Sequence, residues 1–111
     1  MRKTLHAEAG LAGPAQHIML ALGTDALHGY AIMQSIAERT GGQIRLLPGT
    51  LYSTLKKLLA EELVEECDPP RNADSEDARR RYYRVTKVGK VAMKTQTERL
   101  ALLVKLGKVF T

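Results

Sequence analysis

Apolar positions recur at helical spacing in four stretches of the chain. In residues 14–22, PAQHIMLAL, Ile18, Met19 and Leu22 form one face, and Pro14 suits a first helical position. Gly23-Thr24-Asp25 reads as a turn. A second helix is expected over His28–Arg39, with Ile32, Met33, Ile36 and Ala37 as a buried stripe and Gly41-Gly42 as its stop. The short apolar run QIRLL, bounded by Gly and Pro, reads as a brief strand. The stretch PGTLYSTLKKLL then opens a third helix at Pro48. At about 100° per residue, Leu51, Leu55, Leu58 and Leu59 cluster on one side. Ser53, Lys56, Lys57 and Ala60 fall opposite, with Thr50 and Tyr52 at the flanks.

Two shorter stretches have the period of strands: LVEEC at 63–67 and RRYYRV at 80–85. In the second, Arg81, Tyr83 and Val85 share a face, and Tyr82 and Arg84 share the other. Tyr83 is assigned to the core because it sits beside Val85. Between the strands, DPPRNADSEDAR reads as a long mobile hairpin loop. Thr86 is placed to N-cap a last helix that carries Val88, Val91, Ala92, Leu102, Leu103, Leu106 and Phe110. Three helices followed by a β-hairpin and a long helix make an α+β chain, mostly α. The expected architecture is a winged helix-turn-helix (residues 1–86) followed by a C-terminal dimerisation helix (residues 87–111). In this motif the third helix enters the DNA major groove. The Pro-Gly break sets its angle, its free N–H groups can face a phosphate, and Thr50 and Ser53 are short enough for close approach.

Charge sharpens that picture. Residues 79–108 carry ten basic residues against one acid, whereas residues 1–78 carry seven basic and eleven acidic. Such asymmetry points to a polyanionic partner. No apolar run approaches the roughly 20 residues of a membrane span, and no signal-peptide pattern opens the chain, so a cytoplasmic protein without a membrane partner is expected. Cys67 stands alone, which excludes an intramolecular disulfide, and it reads as a small buried hydrophobe. His6, His17 and His28 lack partners at metal-ligand spacing, and no nucleophile elbow or phosphate loop occurs. No catalytic, metal or cofactor residue is therefore assigned.

The blocks LHGYAIMQSI (27–36), LLPGTLYSTLKKLLAEELVEE (46–66) and RRRYYRVTKVGK (79–90) resemble, in order and spacing, the signature blocks of the PadR-type transcriptional regulators, over about residues 14–108. The resemblance implies a homodimeric repressor that binds an inverted-repeat operator in double-stranded DNA and is released by a small effector. It places a backbone-contacting tyrosine at Tyr30 and joins it to Thr50, Tyr52, Ser53, Lys56, Lys57, Arg79, Arg80, Arg81 and Arg84 as DNA-binding candidates. The wing tip is acidic, at Asp74, Glu76 and Asp77, so wing phosphate contacts are assigned to its base. Leu102, Leu103, Leu106 and Phe110 are assigned to the dimer interface. The family usually has Gly where Glu62 stands, which implies a looser turn here. A small aromatic effector would lie in the dimer, between the paired last helices and the first helices, in a pocket lined by residues such as Ile18, Met19 and Met93; with no Trp, a paired-tryptophan drug site is not carried over. The other reading is a protein-interaction module, an anti-repressor or scaffold subunit whose basic helix binds an acidic partner.

Overall fold

The computed structural model describes residues 11–111. Helix α1 (Pro14–Leu22) leads through a turn to strand β1 (Leu27–His28) and helix α2 (Gly29–Arg39). Helix α3 (Pro48–Ala60) follows, then strands β2 (Val64–Cys67) and β3 (Tyr82–Val85), and helix α4 (Lys87–Gly107). Short 3-10 turns occupy Asp77–Arg79 and Lys108–Phe110, so Phe110 lies just beyond the α-helix proper. The sheet is antiparallel in the order β1-β3-β2. The sequence expectation of a winged helix-turn-helix holds.

The apolar stripes meet in one core. Ile18 and Leu22 of α1, Ile32 and Ile36 of α2, and Leu51, Leu55 and Leu58 of α3 are all fully buried, with Leu63, Val64 and Tyr83 closing the hairpin side. Removing such side chains from water is the main stabilising term.

Three local readings are corrected. QIRLL is not a strand. Thr40 at the end of α2 donates from Oγ1 to the Ile36 carbonyl (2.8 Å), and its Oγ1 accepts from the Ile44 N–H (3.0 Å). That bond uses a ladder donor of the segment, while Ile44 and Leu46 pack against the core. The third strand is instead Leu27–His28, which pairs with Tyr83 and Tyr82. This pairing also covers Tyr82, which is as buried as Tyr83 (each 5% exposed), although alternation places it on the outer face. Cys67 is half-buried rather than buried, and burial raises its thiol pKa.

The exit from α3 is tighter than expected for a non-glycine residue. Glu62 adopts φ of 61°, the left-handed region. The Glu62 N–H donates to the Leu59 carbonyl (3.0 Å) and the Leu63 N–H to the Leu58 carbonyl (2.9 Å). These are the two bonds of a Schellman motif, and its apolar contact is the buried Leu58–Leu63 pair. Thr86 then joins this turn to α4. Its Oγ1 donates to the Glu62 carbonyl (2.7 Å) and accepts from the Gly89 N–H (2.9 Å), and its own N–H donates to the Leu63 carbonyl (3.1 Å). Gly89 is buried at this crossing, where any Cβ would overlap the Leu63 carbonyl oxygen.

Helix α4 buries few side chains. Gln96 is the exception: its Nε2 donates to Gln16 Oε1 (3.0 Å), tying α4 to α1. Beyond it, Leu102, Leu103, Val104, Leu106, Val109 and Phe110 stand 54–90% exposed.

Two substitutions test the junction. Glu62→Gly keeps the carbonyl that Thr86 uses and relieves the left-handed strain, so urea unfolding should show a gain of about 1 kcal/mol. Gly89→Ala should cost about 1–3 kcal/mol through overpacking, because the obstacle is backbone and cannot rotate away.

Candidate nucleic-acid interface

Because Leu51, Leu55 and Leu58 anchor α3 in the core, its opposite face must point outward. Thr50, Tyr52, Ser53, Lys56, Lys57 and Ala60 are all exposed there. The Ser53 hydroxyl bonds back to the Thr50 carbonyl (3.2 Å), so neither small side chain projects far. Lys56 and Lys57 make no ion pair among the described residues. The start of α3 has no side-chain cap, which leaves its first N–H groups open to solvent or to an anion.

The start of α2 packs against the start of α3, at Gly29. A Cβ at that position would stand 2.5 Å from the Tyr52 hydroxyl and 3.2 Å from Leu51 Cδ2. Tyr30 and Tyr52, each about half exposed, flank this contact. A cleft of about 230 Å³ opens here, lined by His28, Gly29, Tyr30, Tyr52, Arg80, Arg81 and Tyr83. The third helix, the second helix and the wing base thus converge on one concave surface.

His28 organises that surface, a role the sequence reading did not give it. Its Nδ1 accepts from the Ala31 N–H (3.1 Å) and so caps α2. Its ring stacks on Tyr30 at 6.5 Å and meets Tyr82 edge-on at 5.3 Å. Burial lowers its pKa, the Arg80 charge lowers it further, and Asp77 partly offsets both. The lowered pKa favours the neutral imidazole, the form in which Nδ1 can accept. A histidine immediately before an apolar helical stripe was the available signal.

Three of the wing arginines are already engaged. Arg80 lies 5.8 Å from the Tyr30 ring centroid and pairs with Asp77 (3.2 Å) and Glu76 (4.0 Å). Arg81 lies 3.8 Å from Glu66, and Arg84 bonds Glu65 at 2.6 Å. Arg79, in the 3-10 turn, has no ion pair among the described residues. Arg80 and Arg81 join the cleft, whereas Arg84 shares the strand face of Tyr82 and does not line it. The hairpin loop carries a turn capped by the Asp74 carboxylate, which accepts from the Asp77 N–H (2.8 Å).

A second groove of about 220 Å³ separates α1 from α4, lined by Met19, Leu20, Gly23, Val85, Lys90, Met93, Lys94 and Thr97. It brings together Met19 and Met93, two of the three residues named for that region from the sequence. Ile18 is not part of it, because that side chain points into the core and is fully buried. Among the described residues no His, Cys, Asp or Glu cluster could hold a metal, and no helix is long and apolar enough to cross a membrane.

The family model described as the transcriptional regulator PadR-like family matches residues 18–95. An uncharacterized protein X of Lysinibacillus sphaericus is 33% identical over 63 residues, 57% of this chain; the chain spans 55% of that protein's length. Among solved structures, a PadR family transcription regulator from Clostridium difficile R20291 is 26% identical, covers 84% of this chain and 92% of its own, and gives a TM-score of 0.71. Bacillus subtilis PadR in complex with operator DNA shares the fold at a TM-score of 0.60 and 21% identity, over 81% of this chain and 48% of that one. The match over most of the chain, on the same helices and wing that build the cleft, places this protein in the PadR-like family of transcriptional regulators.

Proposed function

We propose that this chain is a homodimeric repressor that binds an inverted-repeat operator in double-stranded DNA. The observation that carries the reading is the outer face of α3, where short polar residues and two unpaired lysines stand together beside the cleft at the start of α2. Thr50, Ser53 and Lys56 would meet base edges. Lys57, Tyr30, Tyr52 and the wing-base arginines would hold phosphates and fix the register. The operator DNA bound by Bacillus subtilis PadR supports this partner by analogy of fold. Residues 1–86 form the DNA-binding unit in this reading and residues 87–111 the dimerisation helix.

Dimerisation is supported by the apolar residues left uncovered on the last turns of α4 and just beyond. Two-fold pairing would bury them and set two copies of α3 about one DNA turn apart, or a multiple of it. The groove beside Met19 and Met93 would take a small aromatic effector. The alternative, a protein-interaction module with an acidic partner, shares the same basic face. Competition between duplex DNA and an acidic polypeptide separates the two readings.

Salt titration is the direct test. Three to five phosphate contacts per half-site correspond to a slope of roughly −5 to −9 in log K against log salt. Arg81→Ala should weaken binding to all sequences and flatten the slope by about 1 per half-site. Ser53→Ala should shift sequence preference and leave the slope nearly intact, because it releases no counterion. Affinity indifferent to salt would sink the DNA reading.

The dimer is tested by changing Leu102 and Leu106 together to Glu. Both are exposed in the protomer, so folding should survive by circular dichroism. Burying the new charges in the seam would cost several kcal/mol, and sedimentation should show monomer. A stable dimer from the double variant would move the seam elsewhere.

A further inference from the structure

Three of the arginines that make the wing look basic are each held by a carboxylate of the same hairpin. Arg80 is paired with Asp77 and Glu76, Arg81 with Glu66, and Arg84 with Glu65. Over residues 64–85 the hairpin has five basic and six acidic residues, a net charge of −1. The wing is therefore not a cationic arm waiting for DNA.

Arg80 is the telling member. It lines the cleft with Tyr30, Tyr52 and Arg81, the surface read above as a backbone-phosphate contact. The same guanidinium is also held by the wing loop. That loop is folded to do so: the Asp77 N–H is capped by Asp74 Oδ1 (2.8 Å), the Ala78 N–H bonds the Asp74 carbonyl (2.8 Å), and the Arg80 N–H bonds the Asp77 carbonyl (3.1 Å). This turn fixes the Asp77 carboxylate 3.2 Å from Arg80 Nε and 3.8 Å from His28 Nε2. A carboxylate on a guanidinium offers the oxygen geometry that a phosphate offers.

We propose that Glu76 and Asp77 form an autoinhibitory contact, an intramolecular stand-in for DNA phosphate that DNA must displace from Arg80. The contact lowers affinity for any duplex offering phosphates alone, and it leaves base contacts from α3 to decide which site is held. The pairs are partly exposed and therefore weak enough to exchange. This inference rests on the proposed DNA-binding reading.

A thermodynamic cycle on a random-sequence DNA duplex tests it, since the phosphate contribution is independent of sequence. Glu76→Gln with Asp77→Asn should tighten binding about three- to ten-fold at low salt, a gain that shrinks as salt rises. Glu76→Gln alone, at an 84% exposed side chain, should give a smaller gain of the same sign. Neutralising Asp25 and Glu38 instead makes the same change in net charge away from the arginines, and should give less. In an Arg80→Ala background, the Glu76/Asp77 pair of substitutions should do no more than that control. A gain that persists without Arg80, or that the control matches, overturns the contact as an inhibitory device while leaving DNA binding intact. Absence of any duplex binding by the wild type at low salt instead overturns the DNA reading itself.

Discussion

The geometry of this protein depends on what Thr86 holds. One hydroxyl binds the carbonyl at the exit of α3 and caps the first turn of α4, while the adjacent N–H binds the Leu63 carbonyl. The recognition helix, the closing strand of the wing and the start of the long helix are thereby joined within a few ångströms. Gly89 lets α4 cross Leu63 at a separation that no side chain could share. The residue at the turn, Glu62, accepts a left-handed backbone because its N–H and carbonyl and the next N–H are all bonded there, and because Leu58 and Leu63 are buried beside it. Over-determination of this kind is what lets strain persist in a fold.

Charge read along the chain and charge read in the fold give different answers. The segment 79–108 is strongly cationic in sequence, yet Arg80, Arg81 and Arg84 meet carboxylates that lie far away in sequence, at Glu65 and Glu66, or a turn away, at Glu76 and Asp77. Lys56 and Lys57, a smaller signal in sequence, are the cations left without a carboxylate on the helix that faces outward. Exposed ion pairs contribute little to stability, so the pairing on the wing matters more for what the arginines are free to bind than for holding the hairpin together.

The helices were legible because each is amphipathic, with a period that local residues reveal: Ile32 with Ile36, and Leu51 with Leu55 and Leu58. The exposed face of α3 followed at once, since it is whatever the leucines leave outside. Thr86 was legible as a cap because its signal lies within three residues. What was not legible depends on distant partners. Leu27–His28 is a strand only because Tyr82 and Tyr83 lie beside it, and Tyr82 is buried only because that strand and His28 cover it. QIRLL carries a strand's composition, but it is tied to the end of α2 through Thr40. The cleft itself joins residues 28–30, 52, 80, 81 and 83, which no local pattern could bring together.

In the proposed reading, the α1–α4 crossing would decide how an effector's signal reaches DNA. Gln96, buried in a helix that otherwise buries little, bonds Gln16 on α1, while its Oε1 has no partner among the described residues. A half-satisfied buried amide is a poor source of stability, but it resists sliding, because any shift in register breaks its one bond. Helix α1 packs in turn on α2 and α3. A ligand entering the groove between Met19 and Met93 would therefore push on α4 where α4 is coupled, through α1, to the helix that faces outward. In a dimer joined through the end of α4, a small rotation at this crossing would be magnified along the rest of the helix, roughly 15 Å from Gln96 to Leu106 at 1.5 Å per residue. Half-site separation on the proposed operator would tolerate little such change. An effector of the proposed kind would then need no contact with the recognition helix, only a different preferred angle between α1 and α4.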